Sequence, residues 1–229
     1  MPILSDLRPL PSLADSFRVE EQLAASGSPA LRLWCHGAAL VTGGRDRRLP
    51  GYGLAVETFS ARGWEVFGRS SGGSLVVLDE GVLNVSVAWA GSDLPSLEQA
   101  FSKLHAVLRG GLLALGLGAL SQGEVAGSIC PGPGDLAREG RKLAGLSQQR
   151  RRQHVLAHAF LLVEGRAEHR LATARAFYQL AGLGDAIRPG TMETVSEALG
   201  RPVGTGEVAE ALRLAALGHL PELLEVGPA

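Results

Sequence analysis

The spacing of apolar residues changes several times along the 229-residue chain. Between residues 30 and 90, short apolar or alternating runs separated by glycine-rich turns predict β-strands, in ALRLWC, AALVTGG, WEVFGR, SLVVLDEG and VLNVSVAWA. The first two runs flank His36-Gly37, which predicts adjacent strands joined by a tight turn. Farther along, RKLAGLSQQRR and HVLAHAFLLVEG alternate polar and apolar residues and predict an antiparallel pair.

Helical spacing is found in other segments. SFRVEEQLAAS, GLAVETFSARG and residues 168–178 each predict one helix. Ser96 and Gln99 form a capping-box pattern, which begins a longer amphipathic helix that Gly110-Gly111 is predicted to interrupt.

The remaining segments predict two loops and two C-terminal helices. Residues 1–14 indicate an irregular arm, and the prolines and glycines of residues 123–140 indicate a loop. One C-terminal helix is predicted to begin at Thr191, and another carries Val208 and Leu212 on one face.

The order of these elements predicts an α+β fold with a mixed, largely antiparallel sheet flanked by helices, because strands and helices do not alternate as βαβ units. With 229 residues and 45 % hydrophobic composition, the chain is expected to form a single domain over residues 1–229. A small helical extension is expected at about residues 189–229.

Composition narrows the classes of function. A formal net charge of -1 excludes the one-sided basic field of a nucleic-acid binder. The two cysteines, Cys35 and Cys130, are too few for a disulfide framework and form no CxxC pair, so a reducing compartment is expected. No apolar run is long enough for a membrane span, and the first residues lack a signal-peptide pattern. We therefore expect a cytoplasmic protein.

Residues 68–84, GRSSGGSLVVLDEGVLN, combine an arginine, two adjacent glycines and a strand. Gly72 and Gly73 would let the backbone approach a ligand closely, and Arg69 could pair with a carboxylate or a phosphate. A hairpin turn between two strands explains the glycine pair equally well. Spacing alone leaves both interpretations open.

Cys130 lies in GSICPGPGDL, a loop of prolines and glycines from which a thiol could reach solvent or a bound acyl chain. Lys142 follows 12 residues later, so one loop and one strand could bring the two side chains together. An ammonium group beside a thiol favours the thiolate and can stabilise the oxyanion of a tetrahedral intermediate. A buried, unreactive cysteine and an exposed lysine are the common alternatives.

Two further patterns indicate less. The run Arg150-Arg151-Arg152 is typical of a solvated face and could also meet an acidic partner domain. His154 and His158 have the spacing of a helical zinc pair, but no third ligand accompanies them and their segment predicts a strand. No metal site is predicted.

Taken together, these segments resemble the biotin/lipoate protein ligase and octanoyltransferase superfamily over most of the chain. LRLWCHGAALVTGG resembles its opening strands, RSSGGSLVVLDEGVLN its lipoyl-pocket signature and GRKLAGLSQQRR its lysine motif. One branch, octanoyl-[glycine cleavage H protein]:protein N-octanoyltransferase, is similar in further details: DRRLP, VLDEGVLN, SICPG before GRKLAG, FYQLAG and PGTMETVSEALG.

The resemblance implies the superfamily's catalytic-domain fold and an enzyme that needs no cofactor. Its reaction would move an octanoyl or lipoyl group from the glycine-cleavage H protein to a lysine of the lipoyl domains of 2-oxoacid dehydrogenases, and the enzyme is expected to be a monomer. Cys130 would form an acyl-thioester, and Lys142 would lower the pKa of its thiol. The acyl pocket would be lined by Arg69, Ser71, Gly72, Gly73 and Asn84.

Two other hypotheses fit the same residues. An ATP-dependent lipoate or octanoate ligase would use Lys142 to contact an adenylate. Ligases commonly have two arginines before three glycines, whereas here Gly68 precedes Arg69 and Ser74 follows the glycine pair. About forty residues follow Pro189, so the large accessory domain of bacterial lipoate ligases is expected to be absent. A non-catalytic binder of lipoyl domains or acyl chains is the third hypothesis.

Overall fold

The computed structural model describes residues 3–70, 72–184 and 186–223, and ten strands in these ranges form two sheets. The larger sheet contains β1 (Ile3–Asp6), β2 (Ala30–Trp34), β6 (Val82–Ala90), β7 (Leu120–Gln122), β8 (Leu136–Arg138), β9 (Arg141–Arg150) and β10 (His154–Leu162). Its spatial order is β1-β2-β6-β10-β9-β8-β7. Only β1 and β2 are parallel, so the predicted mixed, largely antiparallel sheet is confirmed.

The smaller sheet contains β3 (Ala39–Thr42), β4 (Glu65–Gly68) and β5 (Val76–Leu78), with β3 in the middle. The prediction that β2 and β3 are adjacent was therefore wrong, because these consecutive strands belong to different sheets. Every residue of both strands is buried. Strands buried on both faces carry no alternating pattern, so nothing in their residues indicates which sheet each one joins.

Two segments predicted to be irregular contain strands. In the N-terminal arm, β1 pairs with β2, and Asp6 accepts a hydrogen bond from Arg32 Nε at 2.9 Å. In the loop of residues 123–140, β8 forms at the C-terminal end and pairs with β9. Both strands are short, and pairing with a longer neighbouring strand stabilises each of them more than its own pattern does.

The helices are α1 (Leu13–Ala25), α2 (Tyr52–Ala61), α3 (Leu97–Ala114), α4 (Ala167–Ala181), α5 (Val195–Leu199) and α6 (Thr205–His219). The Ser96–Gln99 capping box at the start of α3 is confirmed. Gly110-Gly111 does not interrupt α3, however. A Cβ on Gly111 would lie 2.6 Å from Leu212 Cδ2, so the glycines allow α6 to pack closely against α3.

The prediction that Thr191 begins a helix was also wrong. The N-cap of α5 is Thr194, whose hydroxyl accepts the Glu197 N–H while the Glu197 carboxylate accepts the Thr194 N–H. Thr191 instead lies beside the first residues of β9, where its carbonyl accepts the Lys142 N–H at 2.9 Å.

The larger sheet separates the two largest apolar cores. Alternate residues of its central strands, such as Val85 and Ala157, face α3 and α6. The intervening residues, such as Trp34 and Phe160, face the smaller sheet, α2 and α4. None of the helices in the described ranges is both long enough and apolar enough to cross a membrane. The site residues meet on the face of the larger sheet that packs against the smaller sheet, α2 and α4.

Candidate active site

Cys130 lies in the connection between β7 and β8, with a backbone φ of 49°. This left-handed conformation is uncommon for a residue with a side chain and is retained only where its surroundings enforce it. The Sγ atom accepts hydrogen bonds from the Ser74 N–H at 3.1 Å and from Arg69 Nη2 at 3.4 Å. Donors and positive charge beside a sulfur stabilise the thiolate relative to the thiol.

The glycine pair passes directly over this thiol. Gly73 has a φ of 100°, and a Cβ on it would lie 2.7 Å from Cys130 Sγ and 2.5 Å from Arg69 Nη2. A Cβ on Gly72 would meet only Ser147 Oγ, at 3.9 Å. The pair connects β4 and β5, which lie on opposite sides of β3, so it is not a hairpin turn. Close approach of backbone to thiol requires Gly73.

Lys142 is fully buried on β9 and holds the loop that carries Cys130. Its Nζ donates to the carbonyl oxygens of Cys130 at 2.7 Å and Ile129 at 2.8 Å, and lies 2.8 Å from Asp135 Oδ1. An ammonium group has three donors, and these three acceptors use all of them. Lys142 therefore reaches Cys130 through the backbone carbonyl, while Arg69 and the Ser74 N–H contact the sulfur.

In the Lys142–Asp135 ion pair, each charge offsets the cost of burying the other. Burial lowers the pKa of Lys142, although the Asp135 and Cys130 charges act in the opposite direction. Burial also raises the pKa of Asp135, against the effect of the neighbouring ammonium group. Asp135 Oδ2 accepts additional hydrogen bonds from the N–H groups of Gly132 and Val125. Removing either charged group would leave the other uncompensated in the interior.

A segment between α4 and α5 holds the opposite side of the Cys130 loop. The Arg188 N–H donates to the Gly127 carbonyl at 2.8 Å, and the Thr191 hydroxyl also donates to that carbonyl. The Ile129 N–H points to Met192 Sδ at 3.4 Å. The loop is thus fixed on one side by Lys142 and on the other by this segment.

A second hydrogen-bonded chain supports the residues that contact the sulfur. Tyr178 on α4 donates to Asp46 Oδ1 at 2.9 Å and accepts the Leu75 N–H at 3.2 Å. Asp46 Oδ2 in turn accepts the Gly43 N–H at 2.7 Å. Burial and the nearby Asp46 carboxylate raise the pKa of Tyr178, so the phenol stays protonated and can donate.

The thiol opens onto a pocket between the two sheets. Strand register places two rows of residues on its floor: Trp34, Asn84, Phe160 and Gly145 form one, and Ser86, His158 and Ser147 form the next. The opposite wall is apolar and is formed by Phe17, Val41, Val76 and Leu78. A narrow slot of this composition suits an extended hydrocarbon chain.

One carboxylate also faces this pocket. Glu20 on α1 is buried and accepts hydrogen bonds from Trp34 Nε1 at 2.9 Å and from the Ser86 hydroxyl. Its Oε2 lies 3.8 Å from His158 Nδ1. Burial alone would raise the pKa of Glu20, but His158, Ser86 and Trp34 together hold that pKa below its usual value. The pocket wall therefore includes an ionised group.

A model of the lipoyl protein ligase A/B catalytic domain matches residues 12–216 of the chain. The chain belongs to this family. Two curated relatives that match over most of its length share the name octanoyl-[GcvH]:protein N-octanoyltransferase. The protein of that name from Geobacillus kaustophilus is 33 % identical, with 91 % of this chain and 78 % of the relative covered. The one from Bacillus velezensis is 36 % identical, with 96 % and 80 % covered.

Solved structures of related proteins have the same fold. The putative lipoate protein ligase Ta0514 from T. acidophilum superimposes with a TM-score of 0.72 at 20 % identity, covering 96 % of this chain and 86 % of that one. Lipoate-protein ligase A bound with ATP gives a TM-score of 0.64 at 19 % identity, covering 98 % and 86 %. The predicted superfamily fold is confirmed.

Most of the residues that the family resemblance selected converge in the structure. Arg69, Gly73 and Cys130 are in contact, and Lys142 binds the Cys130 carbonyl. Asn84 lies on the pocket floor, where its Nδ2 donates to the Trp34 carbonyl at 3.3 Å. Gly72 borders the site through its carbonyl, which accepts the Ser147 hydroxyl. Ser71 lies outside the described residues.

Sequence reasoning gave no role to three residues that organise this site: Asp135, Tyr178 and Asp46. Asp135 belongs to the same loop as Cys130, and Lys142 was predicted to approach that loop. An ion pair between Asp135 and Lys142 could therefore have been predicted from the sequence. Tyr178 and Asp46 are 132 positions apart, and no local pattern connects them.

Proposed function

We propose that this chain is an octanoyltransferase that moves an octanoyl group from the lysine of a GcvH-type carrier to a lysine of an acceptor lipoyl domain. The observation that carries the proposal is the Cys130 thiol, which accepts hydrogen bonds from Arg69 and the Ser74 N–H at the mouth of an apolar pocket. The shared name of relatives 33 % and 36 % identical supplies the identity of the acyl group and donor.

The reaction is an amide-to-amide exchange in two halves. The Cys130 thiolate attacks the carbonyl carbon of the octanoyl amide, and a C–S bond forms. The C–N bond then breaks, and the departing lysine amine takes up the proton that the thiol lost. In the second half, an acceptor amine attacks the thioester, the C–S bond breaks, and the proton that the amine loses is taken up by the departing sulfur, which restores the thiol. Both halves balance without oxidation or reduction.

Arg69 and the Ser74 N–H donate to the sulfur, so they stabilise its negative charge, and we infer that donors this close to the sulfur also stabilise the oxyanion that forms beside it in each half. Lys142 acts by holding the Cys130 carbonyl and by keeping a positive charge beside the loop. The apolar wall of the pocket excludes water from the octanoyl chain. Hydrolysis of the thioester is slowed for the same reason.

The test is intact-protein mass spectrometry after incubation with octanoylated GcvH, without ATP. We expect a hydroxylamine-labile octanoyl adduct on the wild type and on Cys35→Ala, and none on Cys130→Ala. Cys35 is a suitable control because it is the other free cysteine of the described residues. Acylation of acceptor lipoyl domains that needs ATP and free octanoate, and that survives in Cys130→Ala, would instead identify an ATP-dependent ligase. Binding of octanoylated GcvH without turnover would identify a non-catalytic binder.

A further inference from the structure

Six exposed arginines lie in two groups beside the glycine-rich segment that covers the thiol. One group follows β3, and the other forms the hairpin between β9 and β10. We call the two groups together the arginine rim, which consists of Arg45, Arg47, Arg48, Arg150, Arg151 and Arg152.

Both groups lie beside residues 68–70 and 72–74. On one side, Arg47 packs on Gly68, where an added Cβ would lie 2.7 Å from its Nη1. On the other side, Gln149 Nε2, beside the second group, donates to Ser70 Oγ at 3.1 Å. The arginine rim therefore flanks the same backbone that contacts Cys130.

No arginine of the rim forms a salt bridge within the described part of the chain, although the charge of Arg47 acts on the buried Asp46 carboxylate. None of the ion pairs there includes one of these six residues, although Asp93 and Glu98 lie in the loop and helix that follow β6. Asp46, inside the first group, is buried and points to Gly43 and Tyr178. The net charge of the whole chain is only -1, so this concentration is local.

We propose that the arginine rim docks the body of an acyl-carrying protein domain through acidic residues that surround its modified lysine. The inference rests on the proposed function, because only a protein-bound acyl group brings a domain against this surface. The pocket accepts the acyl chain and its lysine, so the rest of the carrier must sit on the residues around the mouth. Opposite charge at the edge of an interface accelerates encounter and fixes orientation more than it adds final affinity.

The test compares charge reversals near and far from the site. Arg151→Glu/Arg152→Glu and Arg45→Glu/Arg48→Glu each reverse two arginines of the rim and spare Arg150, which donates to the Pro95 carbonyl. The matched control, Arg62→Glu/Arg166→Glu, reverses two exposed arginines at the opposite ends of β4 and β10 from the rim. All three variants change the net charge equally.

Two activities are measured for each variant at low and high salt. One is loading of Cys130 from octanoylated GcvH, and the other is loading from the small neutral thioester of octanoate and N-acetylcysteamine. We expect both rim variants to lose about 10-fold or more in kcat/KM with the protein donor at low salt, largely as a raised KM. Loading from the small thioester should stay within about two-fold, and the control should match the wild type with both donors. Added salt should lower the wild-type rate and reduce the difference.

An equal loss with both donors, or no loss with the protein donor, would overturn the proposal. Direct titration of unacylated GcvH and of an apo lipoyl domain separates this inference from the proposed function. Salt-sensitive binding that the rim variants lose supports the docking surface even if no acyl transfer occurs. Binding that is equal in all variants, or binding of duplex DNA in place of either carrier, counts against it.

Discussion

The two cysteines of the chain show how differently one fold can treat the same side chain. Cys35 follows β2 in the interior, and burial raises the pKa of its thiol to about 11, which a hydrogen bond to Thr205 opposes and the Glu164 charge reinforces. Cys130 lies in a strained turn, partly exposed, with Arg69 and the Ser74 N–H at its sulfur. Reactivity thus follows from charge and exposure around the sulfur.

The comparison also separates the elements that each cysteine depends on. Cys35 is fixed by the pairing of β1 with β2, where its N–H donates to the Asp6 carbonyl at 3.2 Å. The loop of Cys130 is held by the side chains of Lys142 and Met192, and Gly73 lies against the thiol. Regular strand pairing therefore positions the unreactive cysteine, whereas side-chain contacts to a loop position the reactive one.

Alkylation of the native protein should give the largest difference between the two cysteines. With iodoacetamide near neutral pH, Cys130 should be labelled more than about 1,000-fold faster than Cys35. A pKa two units above the ordinary value reduces the thiolate fraction about 100-fold, and burial restricts access further. Labelling of Cys35 should rise about 10-fold for each pH unit and level off only above its pKa of about 11. Peptide mass spectrometry measures both rates, and similar rates at neutral pH would contradict the comparison.

The family resemblance selected Arg69, Gly73 and Cys130, which lie in contact, but it did not select Ser74 and could not indicate which atoms meet. The loop around Cys130 and the strand of Lys142 follow from local patterns and a short separation, so their approach could be expected. The Lys142 ammonium group meets the carbonyl oxygen of Cys130 and not its sulfur. This contact depends on the direction of that carbonyl, which the positive φ of Cys130 determines. Backbone direction of that kind is set by tertiary contacts and leaves little trace in residue spacing.

The same limit explains the errors in the fold. Gly110-Gly111 is a plausible helix break in isolation, but α6 packs across it and the close contact compensates for the low helical propensity. The separation of β2 from β3 depends on which partner strands are available, and both strands are uniformly buried. The positions of strands and helices were therefore predictable where the periodicity was strong. Which strands pair and which helices pack together was not predictable.

Removing one charge from the pair that supports Cys130 should have the next largest effect. Lys142→Met leaves Asp135 buried without a counter-ion and should lower the free energy of unfolding by roughly 3 kcal/mol. Labelling of Cys130 should slow, because the carbonyls of Ile129 and Cys130 lose their donor. Urea denaturation and alkylation kinetics measure the two effects.

Two further variants decide the cause of that loss. Lys142→Met/Asp135→Asn removes both charges and should recover part of the stability without restoring activity. Cys35→Ala changes the other cysteine region and should leave the labelling rate of Cys130 unchanged. If the double variant is as unstable as Lys142→Met, the uncompensated carboxylate is not the source of the destabilisation.

The smallest expected effect is the difference in acylation rate between alanine substitutions of the two adjacent glycines above the thiol, Gly73 and Gly72. Gly73→Ala places a methyl group against Cys130 Sγ and Arg69 Nη2 at a positive φ, so we expect roughly a 10-fold or greater loss in the rate of Cys130 acylation. Gly72→Ala meets only Ser147 Oγ at 3.9 Å and should stay within about two-fold of the wild type. Acylation rates from the small octanoyl thioester, measured together with urea denaturation, isolate the contact at the sulfur from any change in stability. If the two variants lost the same activity at equal stability, the close approach of Gly73 would have no part in activating Cys130, and the contrast with Cys35 would depend on Arg69 and exposure alone.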